Sequence, residues 1–326
     1  MNLCIVFSDY HLHDYRQFNT DGKRLKNCIK VLYDIAEFAN KNNIKYILFG
    51  GDWYDQQKEL PTKVVNASIA AIQELTVKYP DLIWIMISGN HDYATKNLWH
   101  SPAVTALTHI EATSNNFHLI DNGVYQIGET SVVGIPYYEM VEDFGLALDN
   151  AVEHTKDLKG KKVLMIHQTP KGIGNAMIKA DTDPYDVRYD NFDYVYCGHI
   201  HKRQDLNDKF TVIGSPIHRD LGDVGESKGF LVINLDKPEK GYKFIELTGY
   251  PHFVQIMEGE ERSDIDEVGA YVVEKPNIAQ ISTAKSMNAD RFNTGLTPKE
   301  LLKNYWEEVN GKDKELLEVG LEFLGI

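Results

Sequence analysis

The sequence predicts an α/β fold: a two-sheet α/β sandwich with a small α+β capping domain and C-terminal helices. Three observations carry this. Short apolar runs alternate with segments of helical periodicity through the amino-terminal third, which is the pattern of βαβ units. The runs are apolar almost throughout, as expected of strands covered on both faces. Further strand-like runs then follow with shorter, less helical connections, so a second sheet is expected to pack on the first.

Residues 3–8 (LCIVFS) read as a buried strand. Leu25, Ile29, Leu32, Ile35, Ala36 and Ala39 recur at helical spacing between Arg24 and Lys41. A second strand is expected over 44–49, a helix opened by Pro61 with Val64, Val65, Ile69, Ile72 and Leu75 inside, and a third strand over 82–87. Later strands are expected at 131–135, 163–166, 194–197, 211–213, 230–235 and 243–247. From about Gly249 the texture changes to short β-like pieces at 252–257, 270–273 and 278–282, and two helices follow. The expected division is therefore 1–249 for the main domain, 250–290 for a small capping domain and 291–326 for C-terminal helices.

Composition narrows the function. With 43% hydrophobic and 25% charged residues, the 326-residue chain can bury a sizeable core, which excludes disorder as a whole-chain reading. No apolar run reaches the roughly 18–20 residues of a membrane span, and the amino terminus lacks a secretory pattern. A soluble, cytoplasmic protein is expected. Cys4, Cys28 and Cys197 are widely spaced and form no C-x-x-C, which argues against a disulfide framework and a thiolate zinc site. The net charge is −14, the opposite of a broad basic face for nucleic acid. If the protein handles polyanions, the positive charge must come from bound metal or a partner chain.

The chemistry lies at the strand ends. The first three strands run into Asp9-Tyr10-His11, Gly50-Gly51-Asp52 and Gly89-Asn90-His91-Asp92. The 163–166 strand ends at His167, and the 194–197 strand at Gly198-His199-Ile200-His201. In an α/β sheet the carboxyl ends of neighbouring strands face one crevice, so the five segments are expected to converge. Oxygen and imidazole donors without thiolate suit Mn²⁺, Fe²⁺ or Zn²⁺. There are enough for two ions, with Asp52 as the natural bridge across about 3.5–4 Å. Each segment alone has an ordinary reading as a turn or a core histidine; their joint occurrence at strand ends sets them apart.

These segments resemble the calcineurin-like metallophosphoesterases, whose signature runs D-x-H, G-D-x-x-D, G-N-H-[DE], H and G-H-x-H. All five stand here, as DYH, GDWYD, GNHD, the His of IHQ, and GHIH. The resemblance implies Asp9, His11, Asp52 and His201 on one metal and Asp52, Asn90, His167 and His199 on the other. It makes His91 a catalytic residue rather than a ligand, oriented by Asp55, whose carboxylate is expected to pair with the imidazole. The two divalent ions would be Mn²⁺, with Mg²⁺ or Fe²⁺ as alternatives.

Flanking residues, above all GSPIHRDLGDVGESKGF after the last histidines, resemble the SbcD and Mre-eleven-type DNA repair nucleases of bacteria and phages. That resemblance implies a 3′-to-5′ exonuclease on duplex ends and an endonuclease on single strands or hairpins, working in the cytoplasm of a bacterium or infected host. It also implies a homodimer, for which Val104, Leu107 and Ile110 offer an apolar stripe, and a coiled-coil ATPase partner of the SbcC or Rad-fifty type. Thr297-Pro298-Lys299-Glu300 opens a helix bearing Leu301, Leu302, Tyr305 and Val309. The second helix carries Leu316, Leu317, Val319, Leu321, Phe323 and Leu324, more apolar surface than one stripe facing its own domain would use. The alternative is a helix pair that packs on residues 250–290.

Two departures from the pattern stand out. His13 replaces a usual Gly and is expected either in an exposed loop or against substrate. Asp55 stands where some of these nucleases have a histidine. Trp53, Tyr54 and Trp99 are read as packing rather than base-stacking, and Lys171-Gly172-Ile173-Gly174 lacks the continuation of a phosphate loop. Two rivals to the nuclease stay open: a phosphodiesterase or phosphatase acting on nucleotides or another small molecule, and a metal-free binding scaffold. The second is disfavoured because no ligand position is missing.

Overall fold

The computed structural model describes residues 2–15, 23–55, 59–93, 105–171, 173, 183, 185–257 and 270–275. The chain forms two compact units, residues 1–254 with 264–272, and residues 255–263 with 273–326. The expected strand at 278–282 and the helices of 291–326 lie outside the described residues.

In chain order the first unit begins β1 (Leu3–Phe7), α1 (Lys23–Lys41), β2 (Tyr46–Phe49), α2 (Thr62–Lys78), β3 (Ile83–Met86), α3 (Leu107–Thr113) and β4 (Phe117–Leu119). There follow β5 (Gly123–Ile127), β6 (Thr130–Ile135), α4 (Val141–Thr155), β7 (Lys161–His167) and β8 (Tyr194–Gly198). Next come β9 (Gln204–Asn207), β10 (Phe210–Val212), β11 (Gly229–Asn234) and β12 (Tyr242–Glu246). Finally β13 (His252–Met257) and β14 (Ala270–Lys275) form a two-stranded sheet.

Two six-stranded sheets result. The first has the order β12-β11-β1-β2-β3-β4, with β1 to β4 parallel and β11 antiparallel to both of its neighbours. The second has the order β5-β6-β7-β8-β10-β9, parallel from β6 to β10 with antiparallel edges. Alternation along the strands decides the layers. Cys4, Val6, Leu48 and Ile85 of the first sheet pack with Val132, Val163, Met165 and Tyr196 of the second in one core between the sheets. Phe7, Phe49, Trp84 and Met86 point the other way, under α1, α2 and α3. Val133, Leu164, Ile166 and Val195 point outward under Phe144 and Leu148 of α4. Each fully buried aliphatic or aromatic side chain contributes about 1.5–3 kcal/mol relative to exposure.

The helices follow their residues. In α1 the buried positions include Leu25, Cys28, Leu32, Ile35, Ala36 and Ala39, a single stripe. Asn43 then takes φ 55° and Ile44 N–H donates to the Ala39 carbonyl at 2.8 Å, a left-handed stop. Pro61 stands just before α2, its carbonyl accepting from the Val64 and Val65 N–H groups. α3 corrects the expected dimer stripe. Leu107 and Ile110 are buried in their own unit's core rather than offered to a partner, and Val104 lies outside the described residues. No helix among the described residues is long and apolar enough to cross a membrane.

Candidate metal centre

The parallel strands of both sheets end at one edge of the sandwich, so the predicted segments meet across two sheets rather than along one. Hydrogen bonding continues past the strand ends: Asp9 N–H donates to the Gly51 carbonyl, and His11 N–H to that of Asp52, each at 2.9 Å. Tyr137 N–H after β6 donates to the Ser88 carbonyl after β3 at 3.0 Å, joining the sheets. The buried Asp92 carboxylate accepts from the N–H groups of Asp52, Trp53, Tyr54 and Gly89 at 2.8–3.2 Å, locking the second and third loops together. Asp9, His11, Asp52 and His199 all have positive φ, where few residues other than glycine sit. At Gly89 a Cβ would lie 2.2 Å from Asp52 Oδ1, and at Gly198 one would lie 2.7 Å from His167 Nδ1, so only glycine lets the loops approach this closely.

Three groups of donor atoms form, each within 4.8 Å: Asp9, His11 and His201; His11, Asp52 and His91; and Asp52, His167 and His199. Asp52 Oδ2 lies 3.3 Å from His11 Nε2 and 3.3 Å from His167 Nε2. Asn90 Oδ1 lies 2.8 Å from His199 Nδ1 and 3.2 Å from His167 Nε2. Thus Asp9, His11, Asp52, Asn90, His167, His199 and His201 surround one space. Asp9, His11, Asp52 and His167 form a buried floor, and Asn90, His91, His199 and His201 a half-buried rim.

The donor chemistry fits divalent cations. His11 is 1% exposed, yet neither ring nitrogen makes a hydrogen bond. Burial and Arg219 hold its pKa well below the histidine range, which keeps the ring neutral with a lone pair on one nitrogen for a cation. Burial and the neighbouring His167 likewise lower His199 to about 3, and burial with Arg219 lowers His201 despite Asp9. His167 runs the other way, to about 9, because Asp52 outweighs its burial. Its Nδ1 lies 2.7 Å from the Gly50 carbonyl, an outer contact of the kind that orients a ligating imidazole.

Two expectations need correction. His91 Nδ1 lies 2.5 Å from the main-chain carbonyl of Asp55, not against its carboxylate. That carboxylate pairs instead with the Arg219 guanidinium and the Tyr15 hydroxyl, with His11 Nδ1 3.3 Å away. Burial would raise its pKa, but His11 and Arg219 hold it well below the carboxylate range. His13 is not exposed in its loop: it is 5% exposed, between the Tyr15 N–H and Arg24 Nε, each at 3.2 Å.

Sequence reasoning assigned no role to three residues of the segment after β10. The His201 carbonyl accepts from Ser215 N–H at 3.0 Å and Lys228 Nζ at 2.7 Å, which gives the G-S and K-G-F segments a physical purpose: they fix the last histidine loop. Buried Lys228 is paired in turn with Asp223 at 2.5 Å. Arg219 NH1 lies 3.1 Å from His201 Nε2. Trp53 is packing as read, fully buried with its Nε1–H on Ser68, and Cys4, Cys28 and Cys197 are buried thiols.

The protein is 23% identical over 290 residues to the SbcD component of the nuclease SbcCD of Staphylococcus epidermidis, covering 80% of this chain and 73% of that protein. It is 25% identical over 192 residues to 078R of Invertebrate iridescent virus 3, named a phosphoesterase, covering 58% of this chain and 52% of that one. The match thus spans about half the length of the viral protein. Among solved structures, TT1561 of Thermus thermophilus aligns with a TM-score of 0.47 at 11% identity, covering 75% of this chain and 98% of that one. The family model of the calcineurin-like phosphoesterases matches residues 4–203, which hold every one of the convergent strand ends, and the chain belongs to that family.

Proposed function

We propose that this protein is a two-metal DNA nuclease that hydrolyses phosphodiester bonds, as a 3′-to-5′ exonuclease on duplex ends and an endonuclease on single strands or hairpins, in recombination and break repair. The observation that carries the reading is Asp52 Oδ2, equidistant from His11 and His167, one from each side of the site. Asp9, His11, Asp52 and His201 would hold one divalent ion, and Asp52, Asn90, His167 and His199 the other. Bound there, such ions polarise the phosphoryl oxygen and make water a nucleophile near neutral pH. With its Nδ1–H on the Asp55 carbonyl, His91 would act as the doubly protonated imidazolium, giving its Nε2 proton to the leaving oxygen and returning to the Nδ1–H neutral form. The DNA substrate and a coiled-coil ATPase partner, bound through residues 291–326, are supported by the resemblance to the SbcD component of SbcCD over most of the chain. The net charge of −14 favours the rival reading, a phosphodiesterase acting on small nucleotides.

The test offers Mn²⁺-loaded protein linear duplex DNA, single-stranded DNA and a small chromogenic phosphodiester side by side, with and without an SbcC-type ATPase and ATP. DNA cleavage that the ATPase stimulates, and that deletion of 291–326 returns to its basal rate, is expected. Turnover of the small diester alone would favour the rival.

A further inference from the structure

Arg219 stands at the rim of the metal centre and has no part in the reading above. Its backbone is fixed from both sides: its N–H donates to Asp223 Oδ2 at 2.6 Å, and its carbonyl accepts from Arg24 at 2.8 Å. Asp223 is itself held by Lys228, the two side chains being 5% and 4% exposed. This frame sets the guanidinium between two groups of the site, NH1 on His201 Nε2 and NH2 on Asp55 Oδ1. A guanidinium has five N–H donors in a planar fork and no acceptor. Among the described residues only these two N–H groups find a partner, and Nε is buried with none. Nε is closed to solvent, but the side chain as a whole is 18% exposed, so a donor offered to a ligand at the rim is a second N–H of NH1 or NH2.

We propose that Arg219 is a substrate-binding residue, a clamp whose unused donors take a non-bridging phosphate oxygen of the substrate. The inference rests on the two-metal phosphoesterase reading. Three features favour it over a purely structural strut. A strut would not need donors left over beside a site built for an anion. The planar fork suits phosphate in two-point contact, which the ammonium of a lysine cannot reproduce. And a chain of net charge −14 needs positive charge beside the bound ions to hold a polyanion, which this fixed guanidinium supplies.

The experiment compares full-length wild type, Arg219→Gln and Arg219→Lys. Calorimetry gives the Mn²⁺ stoichiometry and the affinity of the Mn²⁺-loaded protein for inorganic phosphate; steady-state kinetics on a chromogenic phosphodiester give KM. Arg219→Gln is expected to keep the wild-type Mn²⁺ stoichiometry while binding phosphate about tenfold more weakly or worse, with KM rising in step. Its melting temperature falls because the Asp55 carboxylate loses its cation, whereas Arg219→Lys keeps that charge and the melting temperature and falls between in phosphate affinity. Phosphate affinity within twofold of wild type would overturn the clamp. So would loss of Mn²⁺ or of thermal stability in both variants, which would make Arg219 a strut for His201 and Asp55. A wild-type chain that bound no Mn²⁺ would contradict the two-metal reading instead. The clamp would then stand or fall on phosphate binding to the metal-free protein, where Arg219→Gln must show the same loss.

Discussion

At the scale of single residues, the site is built from conformations that most sequences avoid. Asp9, His11, Asp52 and His199 have φ of 55°, 48°, 61° and 84°, at a cost of order 1–3 kcal/mol each. The surroundings hold them there: His11 N–H bonds to the Asp52 carbonyl, and His199 N–H to Asp9 Oδ1 at 3.0 Å. Strain concentrated at four of the seven proposed ligands points to a functional site rather than to packing. His91 tests how finely these roles divide. Its main-chain N–H donates to Asp52 Oδ1 at 2.8 Å, and its ring lies close enough to His11 and Asp52 to share an ion. If it transfers protons, His91→Asn keeps the wild-type Mn²⁺ content and DNA affinity while kcat falls by about 10²–10⁴. A drop in Mn²⁺ content equal to that of His199→Ala, read by elemental analysis, would make His91 a ligand.

At the scale of elements, what the sequence made legible follows burial. Strands covered on both faces are apolar throughout, so β1, β2, β3, β7, β8 and β11 fall within a few residues of their expected places. The edge strands β5 and β9 are half solvated, and the QDLN of β9 carries no strand signal. α4 escaped notice because it buries only Phe144, Leu148 and Thr155 and carries Gly145 within its first turns. α3 was legible as a stripe but not as to what it faces, since a core stripe and a partner stripe read alike. All seven proposed ligands were legible because each stands at a strand end in a short motif. Arg219, Asp223 and Lys228 were not: Arg219 and Lys228 meet Asp55 and His201 only through the folded chain, and Asp223, which holds both, stands in no motif. Their connection is itself testable: Lys228→Met leaves the buried Asp223 carboxylate unpaired, and is expected to destabilise the protein by about 3–5 kcal/mol in denaturant unfolding. An unchanged midpoint would show that the pair does not fix the His201 loop.

At the scale of the whole molecule, two mixed sheets of six strands bury a common core and aim the carboxyl ends of their parallel strands at one edge. Neither sheet alone could assemble the site: Asp9, Asp52 and Asn90 come from the first, and His167, His199 and His201 from the second. Asp52 stands at the junction, and the central claim rests on its carboxylate serving two ions at once. The most direct measurement is the Mn²⁺ content of full-length wild type, Asp52→Asn and His201→Ala by elemental analysis after removal of loosely held ions. Two ions per wild-type chain are expected, with both depleted in Asp52→Asn and mainly one lost in His201→Ala. Two ions still tightly held by Asp52→Asn would contradict a shared carboxylate and the two-metal account with it.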